Sequence, residues 1–252
     1  TEEQASQYCL EQLEYLLASQ TAPKETAAIL IETVLGEGGY VVPPTSFMKG
    51  LREICDKHGI MLIFDEVQSG FGRTGKWFAL EHFDVVPDII TAAKGIASGM
   101  PLSGVFTRAD IMKKLDTGSI GGTYGGNAIA CAAGVATIRA MREEKMLENA
   151  TDKGIQLMTG LRKLQEEYPQ IGDVRGKGLM IGTEFVADGG GHAKTKQLVK
   201  DVIHAAEEKN LLLLSCGTYD STIRWIPPLN VTSEQINEGL RIFGEALKEA
   251  VK

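Results

Sequence analysis

Short apolar runs that stop at an ionisable residue recur through the first half of the chain. Ile60 to Phe64 ends at Asp65, Ile89 to Ala93 ends at Lys94, and the run from Ala27 ends at Glu32. Four to six apolar residues without alternation fit strands covered on both faces, as in a parallel sheet flanked by helices. Helical spacing appears between them. Glu2 to Ser19 places Leu10, Leu13, Leu16 and Leu17 on one stripe. Thr45 or Ser46 can cap a helix running to about Lys57, with Gly59 just past its end. A short helix is expected at Trp77 to His82, a strand at Leu102 to Thr107, and a helix of small residues from Asn127 to Glu143, suited to close packing on the sheet.

From about Met146 the texture changes. A charged amphipathic helix leads to Tyr168-Pro169, followed by a strand at Leu179 to Val186 and a helix at Thr195 to Lys209. Two short strands follow, Leu211 to Ser215 and Thr222 to Ile226, and Thr232 or Ser233 opens a terminal helix. The pattern predicts an α/β protein: residues 1–145 in a mainly parallel-sheet domain and residues 146–252 in a smaller C-terminal α/β domain. There is no internal repeat, and the one simple-sequence stretch is the Gly189 to Gly191 turn.

Composition narrows the function classes. The 252 residues are 43% hydrophobic and 23% charged, enough for a real apolar core. A net charge of −7 with both signs interspersed argues against a nucleic-acid surface, and the apolar runs are too short to span a bilayer. Cys9, Cys55, Cys131 and Cys216 are scattered and read as free thiols of a reducing compartment, the cytoplasm or the mitochondrial matrix. His58, His82, His192 and His204 have no metal or triad spacing, so no metal is expected. The glycosylation triplets at Asn149 and Asn230 have no supporting context. The Lys/Glu-rich stretches, Glu245 to Lys252 among them, read as solvated faces. The chain begins at Thr1, so a targeting segment upstream stays open.

Candidate chemistry gathers at the strand ends, where ligands collect in parallel sheets. Gly70-x-Gly72-x-x-Gly75-Lys76 resembles a phosphate loop, but Trp77 stands where a magnesium-binding Ser or Thr is needed. As a dinucleotide fingerprint it would set Asp65 and Glu66 against a pyrophosphate. Alone, Asp65 reads as a capping or salt-bridging acid and Lys94 as a surface lysine. Together at two strand tips, a partly desolvated amine and a carboxylate suit pyridoxal phosphate, whose aldehyde bonds a lysine and whose ring nitrogen needs an acid.

Longer segments carry a resemblance. Asp65-Glu-Val-Gln-Ser-Gly-Phe-Gly-Arg-Thr-Gly, Ala93-Lys-Gly, Gly121-Gly-Thr-Tyr-Gly-Gly-Asn and Ile31-Glu-Thr-Val-Leu-Gly-Glu-Gly-Gly resemble the class III pyridoxal-phosphate aminotransferases. Leu214-Ser-Cys-Gly and Ile223-Arg-Trp-Ile-Pro-Pro-Leu are similar to members acting on ω-amino acids such as 4-aminobutyrate. The resemblance implies a fold-type I transferase, here its C-terminal portion, working as a homodimer with shared active sites. Lys94 would be the Schiff-base lysine and proton shuttle, and Asp65 the partner of the pyridine nitrogen. Val67 would pack on the ring, Gln68 would reach its hydroxyl, and Thr123 would contact a phosphate, usually the neighbouring subunit's. Arg224 would fork onto the substrate carboxylate, with Glu37 neutralising it when the substrate presents an ω-amine. Without the resemblance, Arg224 and Glu37 read as a structural ion pair.

The resemblance further implies ping-pong transamination of an ω-amino acid with 2-oxoglutarate, giving a semialdehyde and glutamate. Ornithine, acetylornithine or diaminobutyrate remain alternative donors, and a truncated, non-catalytic chain is the alternative of a different class. Two departures stand out: the family usually has Pro and Gln where this chain has Thr33 and Leu35. The family's N-terminal half, with a Gly-Ser phosphate loop and a ring-covering aromatic, has no counterpart here, so this stretch alone is expected to be inactive.

Overall fold

The computed structural model describes residues 1–187, 189 and 191–251, so Gly190 of the Gly189–Gly191 turn and the terminal Lys252 lie outside the described residues. The chain forms two compact units. The first comprises Thr1–Thr33, Pro43–Phe71 and Lys76–Glu143, the second Val34–Val42, Gly72–Gly75 and Glu144–Lys252. Two short stretches of the first half, 34–42 and 72–75, thus belong with the second unit.

The first unit contains α1 (Glu2–Ser19), β1 (Ala28–Glu32), α2 (Thr45–His58), β2 (Met61–Asp65), β3 (Ile89–Ala92), β4 (Gly104–Thr107), α3 (Ala109–Met112) and α4 (Ala128–Glu143). Its sheet runs β1-β2-β3-β4, with β1, β2 and β3 parallel and β4 antiparallel to β3. Gly59 ends α2 in the left-handed region at φ 68°, where a side chain would be strained. The start of α2 differs from expectation. Pro44 holds the cap position with no side-chain bond, and Ser46, already inside the helix, donates to the Ser6 hydroxyl instead.

The strands are less buried than the apolar runs suggested. Leu62 and Phe64 are fully buried and α2 packs against β2, but Met61 and Ile63 are half-buried and Leu30 is exposed. One face of the sheet is therefore well covered and the other only partly, among the described residues. The small-residue helix α4 does not lie tightly on the sheet either. Only Ala130, Gly134 and Met141 are buried, with Gly134 close to Leu102 and to the turn at Ile96, while Ile129 and Val135 are exposed.

Asp88 locks β3 beside β2. Its carboxylate accepts the Leu62 N–H and an Arg52 Nη1 bond, both at 2.9 Å, and a bond from Arg108 Nη1 at 3.0 Å. Burial opposes the charge, but these bonds outweigh it and hold the carboxyl below its ordinary value.

The second unit contains α5 (Met146–Glu167), β5 (Ile171–Lys177), β6 (Met180–Phe185), α6 (His192–Glu207), β7 (Leu214–Cys216), β8 (Thr222–Trp225) and α7 (Ser233–Ala250). Its antiparallel sheet has the order β5-β6-β8-β7. Strand β5 has no strand signature in the sequence, because its two glycines and three charged residues hide any alternation. Leu157, Leu161, Phe185, Val199, Ile223 and Phe243 form the heart of its core. Thr232 and Gln235 cap α7 reciprocally. Among the described residues no helix is long and apolar enough to cross a membrane.

Asp88→Asn keeps the oxygen that accepts from Leu62 and Arg52 but loses the negative charge and the acceptor that Arg108 uses, so it should cost about 1–2 kcal/mol near neutral pH. The folded-state pKa is depressed, so this stability is present above the unfolded value of 3.8 and is lost as pH falls through the folded value below it. Urea unfolding of both proteins from pH 7 to pH 3 should show their midpoints converging at the acid end.

Candidate active site

Strands β2 and β3 are direct parallel neighbours, with Asp65 in register with Thr91. Asp65 is the last residue of β2, and Lys94 opens a 3-10 turn two residues beyond the end of β3. An acid and an amine thus leave the same end of two hydrogen-bonded strands, which lie about 4.8 Å apart in any sheet. Asp65 Oδ1 accepts the Val67 N–H at 2.8 Å, closing a tight turn that carries Val67 and Gln68. Lys94 sits at φ 44°, a backbone region costly for a residue with a side chain. Gly95 allows this turn to approach its neighbour: a Cβ there would stand 3.1 Å from Phe71 Cβ. Lys94 is exposed rather than partly buried, since it lies past the end of β3.

Gln68 is half-buried, and its side-chain carbonyl oxygen is buried without a hydrogen-bond partner among the described residues. A buried acceptor left unpaired costs about 1–3 kcal/mol, so it marks a place where a donor is wanted. Thr123 is exposed in the loop of 118–126, a run of turns in which Gly125 donates to the Gly122 carbonyl. The loop ends where the Asn127 side chain accepts the Ile129 and Ala130 amides and starts α4.

Glu66 organises the stretch that follows β2. By its place in the sequence Glu66 reads as a second negative charge beside Asp65 at the strand tip. Successive strand residues face opposite ways, and Glu66 is fully buried. Its carboxylate accepts from Ser69 Oγ at 2.6 Å, Ala79 N at 3.0 Å and Leu80 N at 2.7 Å. Thr33, also fully buried, bonds both Ser69 and Glu66. Burial pushes the Glu66 carboxyl up, against the pull of these four bonds. Thr33, one of the two departures from the family pattern, is therefore a member of this polar network.

In the second unit the Arg224 guanidinium is ion-paired with Glu37. Arg224 is 15% exposed and Glu37 70%, and the Glu37 carbonyl accepts the Gly217 N–H at 2.8 Å. Glu37 is the solvent-facing partner, so water reaches the pair from its side. Leu35 bonds Val41 across the loop through backbone atoms, and its side chain covers Gly38. The glycine-rich stretch 72–75 packs within this unit. Arg73 donates to the Leu179 and Pro227 carbonyls, and Gly178 lies close against the backbone of Thr74.

Comparison with known proteins shows the family. The family model "Aminotransferase class-III" matches residues 1–247. The chain is 45% identical to the 5-aminovalerate aminotransferase of Pseudomonas aeruginosa, over 94% of this chain and 56% of that protein. It is 45% identical to the 4-aminobutyrate aminotransferase of Escherichia coli, over 93% of this chain and 55% of that protein. A transaminase structure from the marine bacterium Virgibacillus superposes with a TM-score of 0.88 at 33% identity, covering 99% of this chain and 58% of that one. The chain thus spans about half the length of the curated relatives it matches.

Glu66→Gln turns one acceptor into a donor that faces amide or hydroxyl donors. It should destabilise the loop by about 1–3 kcal/mol. Hydrogen exchange at the Ala79 and Leu80 amides should speed accordingly, while amides of the second unit keep their protection.

Proposed function

This chain belongs to the class-III aminotransferases, and from that membership we propose that it takes part in pyridoxal-phosphate-dependent transamination of an ω-amino acid, with 2-oxoglutarate as acceptor. The observation that carries the reading is the departure of Asp65 and Lys94 from the same end of two paired parallel strands. The residues present fit the cofactor. An amine, a carboxylate and a buried, unpartnered carbonyl oxygen on Gln68 match an aldehyde, a ring nitrogen and a ring hydroxyl. Lys94 would hold the cofactor through its amine, Asp65 its ring nitrogen and Gln68 its hydroxyl. Val67 would pack on its face, and Thr123 with its neighbouring amides would hold a phosphate, that of a second copy in a homodimer.

When bound, the cofactor supplies an electron sink for the carbon that loses a proton. Asp65 keeps a proton on the heteroaromatic nitrogen, so positive charge is retained where electrons are drawn. Lys94 Nζ takes the proton from the substrate carbon and returns it one position away, acting as general base and then general acid. Arg224 receives a substrate carboxylate through two parallel N–H bonds, a geometry that lysine cannot copy. Glu37 covers Arg224 when the bound substrate offers an amine in place of that carboxylate. The solvent exposure of Glu37 supports this exchange.

Two relatives are named for 4-aminobutyrate and 5-aminovalerate, which differ by one methylene. A single methylene separates substrates by only about 1–3 kcal/mol. The donor class we assign is therefore a short ω-amino carboxylate, with a semialdehyde and glutamate as products.

Adding pyridoxal phosphate to the polypeptide that carries this chain should raise a visible absorbance band, and Lys94→Ala should abolish it. Addition of 4-aminobutyrate or 5-aminovalerate should then shift the wild-type band. An undiminished band in Lys94→Ala contradicts the role given to Lys94.

A further inference from the structure

Besides Gln170 Oε1, two buried polar atoms of the second unit lack hydrogen-bond partners among the described residues: the Tyr40 hydroxyl and the Arg224 Nε. Each costs free energy as it stands, since buried polar groups are nearly always paired. They lie on the same side of one sheet. Gly182 of β6 is the register partner of Arg224 on β8, and directly opposed residues of antiparallel strands face the same way. A Cβ on Gly182 would stand 3.0 Å from Tyr40 Cβ, so the phenol lies on the face that carries the Arg224 side chain. Tyr40 is fully buried and holds a left-handed backbone at φ 56°, a strained conformation for an aromatic residue. Burial pushes its phenol up to about 12, with Arg224 and Arg73 pulling the other way and Cys216 and Glu37 adding to the rise. The hydroxyl therefore stays protonated at neutral pH, with its oxygen lone pairs free to accept.

Glu37 engages only the Nη1 end of the guanidinium in the resting pair. We propose that Tyr40 is a positioning residue for Arg224. When Glu37 lets go, the Arg224 Nε–H turns onto the Tyr40 hydroxyl oxygen, which holds the guanidinium plane so that its two terminal nitrogens face a carboxylate. The proposal rests on the assignment of Arg224 to the substrate carboxylate, and it makes Tyr40 matter in the oxo-acid half of the cycle. In the amine half, Glu37 itself orients Arg224.

The test is Tyr40→Phe in the cofactor-loaded polypeptide, which removes one oxygen and keeps the packing. Calorimetric binding of glutarate, an unreactive dicarboxylate, should weaken about tenfold to a hundredfold, the loss of one hydrogen bond to a charged group. KM for 2-oxoglutarate should rise by a similar factor, several times more than KM for the ω-amine. Arg224→Lys, measured alongside, separates the two levels of the claim. If Arg224→Lys weakens glutarate and Tyr40→Phe does not, Tyr40 has no positioning role and Arg224 keeps its own. If Arg224→Lys binds glutarate as the wild type does, the assignment of Arg224 fails and the proposal goes with it. Equal effects of Tyr40→Phe on both half-reactions would reduce Tyr40 to a packing residue.

Discussion

Direct parallel pairing of β2 with β3 is the constraint on which the first unit depends. Parallel strands end together, and their ends are separated by one hydrogen-bonded spacing, about 4.8 Å. Lys94 lies three residues past Thr91, the register partner of Asp65, and three residues reach at most about 11 Å. The acid and the amine therefore leave the sheet within the dimensions of an aromatic ring and its substituents. The register is held in turn by Asp88, which takes an amide from β2 and two guanidiniums at the start of β3.

Around these strand ends the backbone is held by buried polarity and by close approach. Glu66 gathers four donors from three separate stretches, Thr33, Ser69 and the amides of Ala79 and Leu80. Such a network is costly if half-satisfied and rigid when complete. Gly70 and Gly95 let the chain fold back on itself at the points where a Cβ would meet the Glu66 carbonyl or Phe71. In the second unit the balance is different. The exposed Glu37 and the mostly buried Arg224 form an ion pair, and the Arg224 Nε is buried without a partner among the described residues.

Much of this was legible in the sequence because it rests on local rules. Apolar runs ending at Asp65 and Lys94 gave two strands to within a residue, and Gly59, Asn127 and Thr232 marked helix ends by cap chemistry. What stayed hidden depended on where side chains point or on distant partners. Glu66 looked like a twin of Asp65 until strand alternation turned it inward. Strand β5 carries no apolar alternation and forms because β6 and α5 pair and pack with it. The small residues of α4 suggested a buried helix, yet only three of its positions are covered among the described residues. No local pattern assigns 34–42 and 72–75 to the second unit, since that grouping follows from long-range packing.

The central claim is that Lys94, and no other lysine, meets the aldehyde of the cofactor. Borohydride reduction of the cofactor-loaded polypeptide, followed by proteolysis and mass spectrometry, tests it directly. The account predicts one stoichiometric pyridoxyl mass addition, on the peptide containing Lys94. Addition at Lys76 or another lysine, with the Lys94 peptide unmodified, would contradict it.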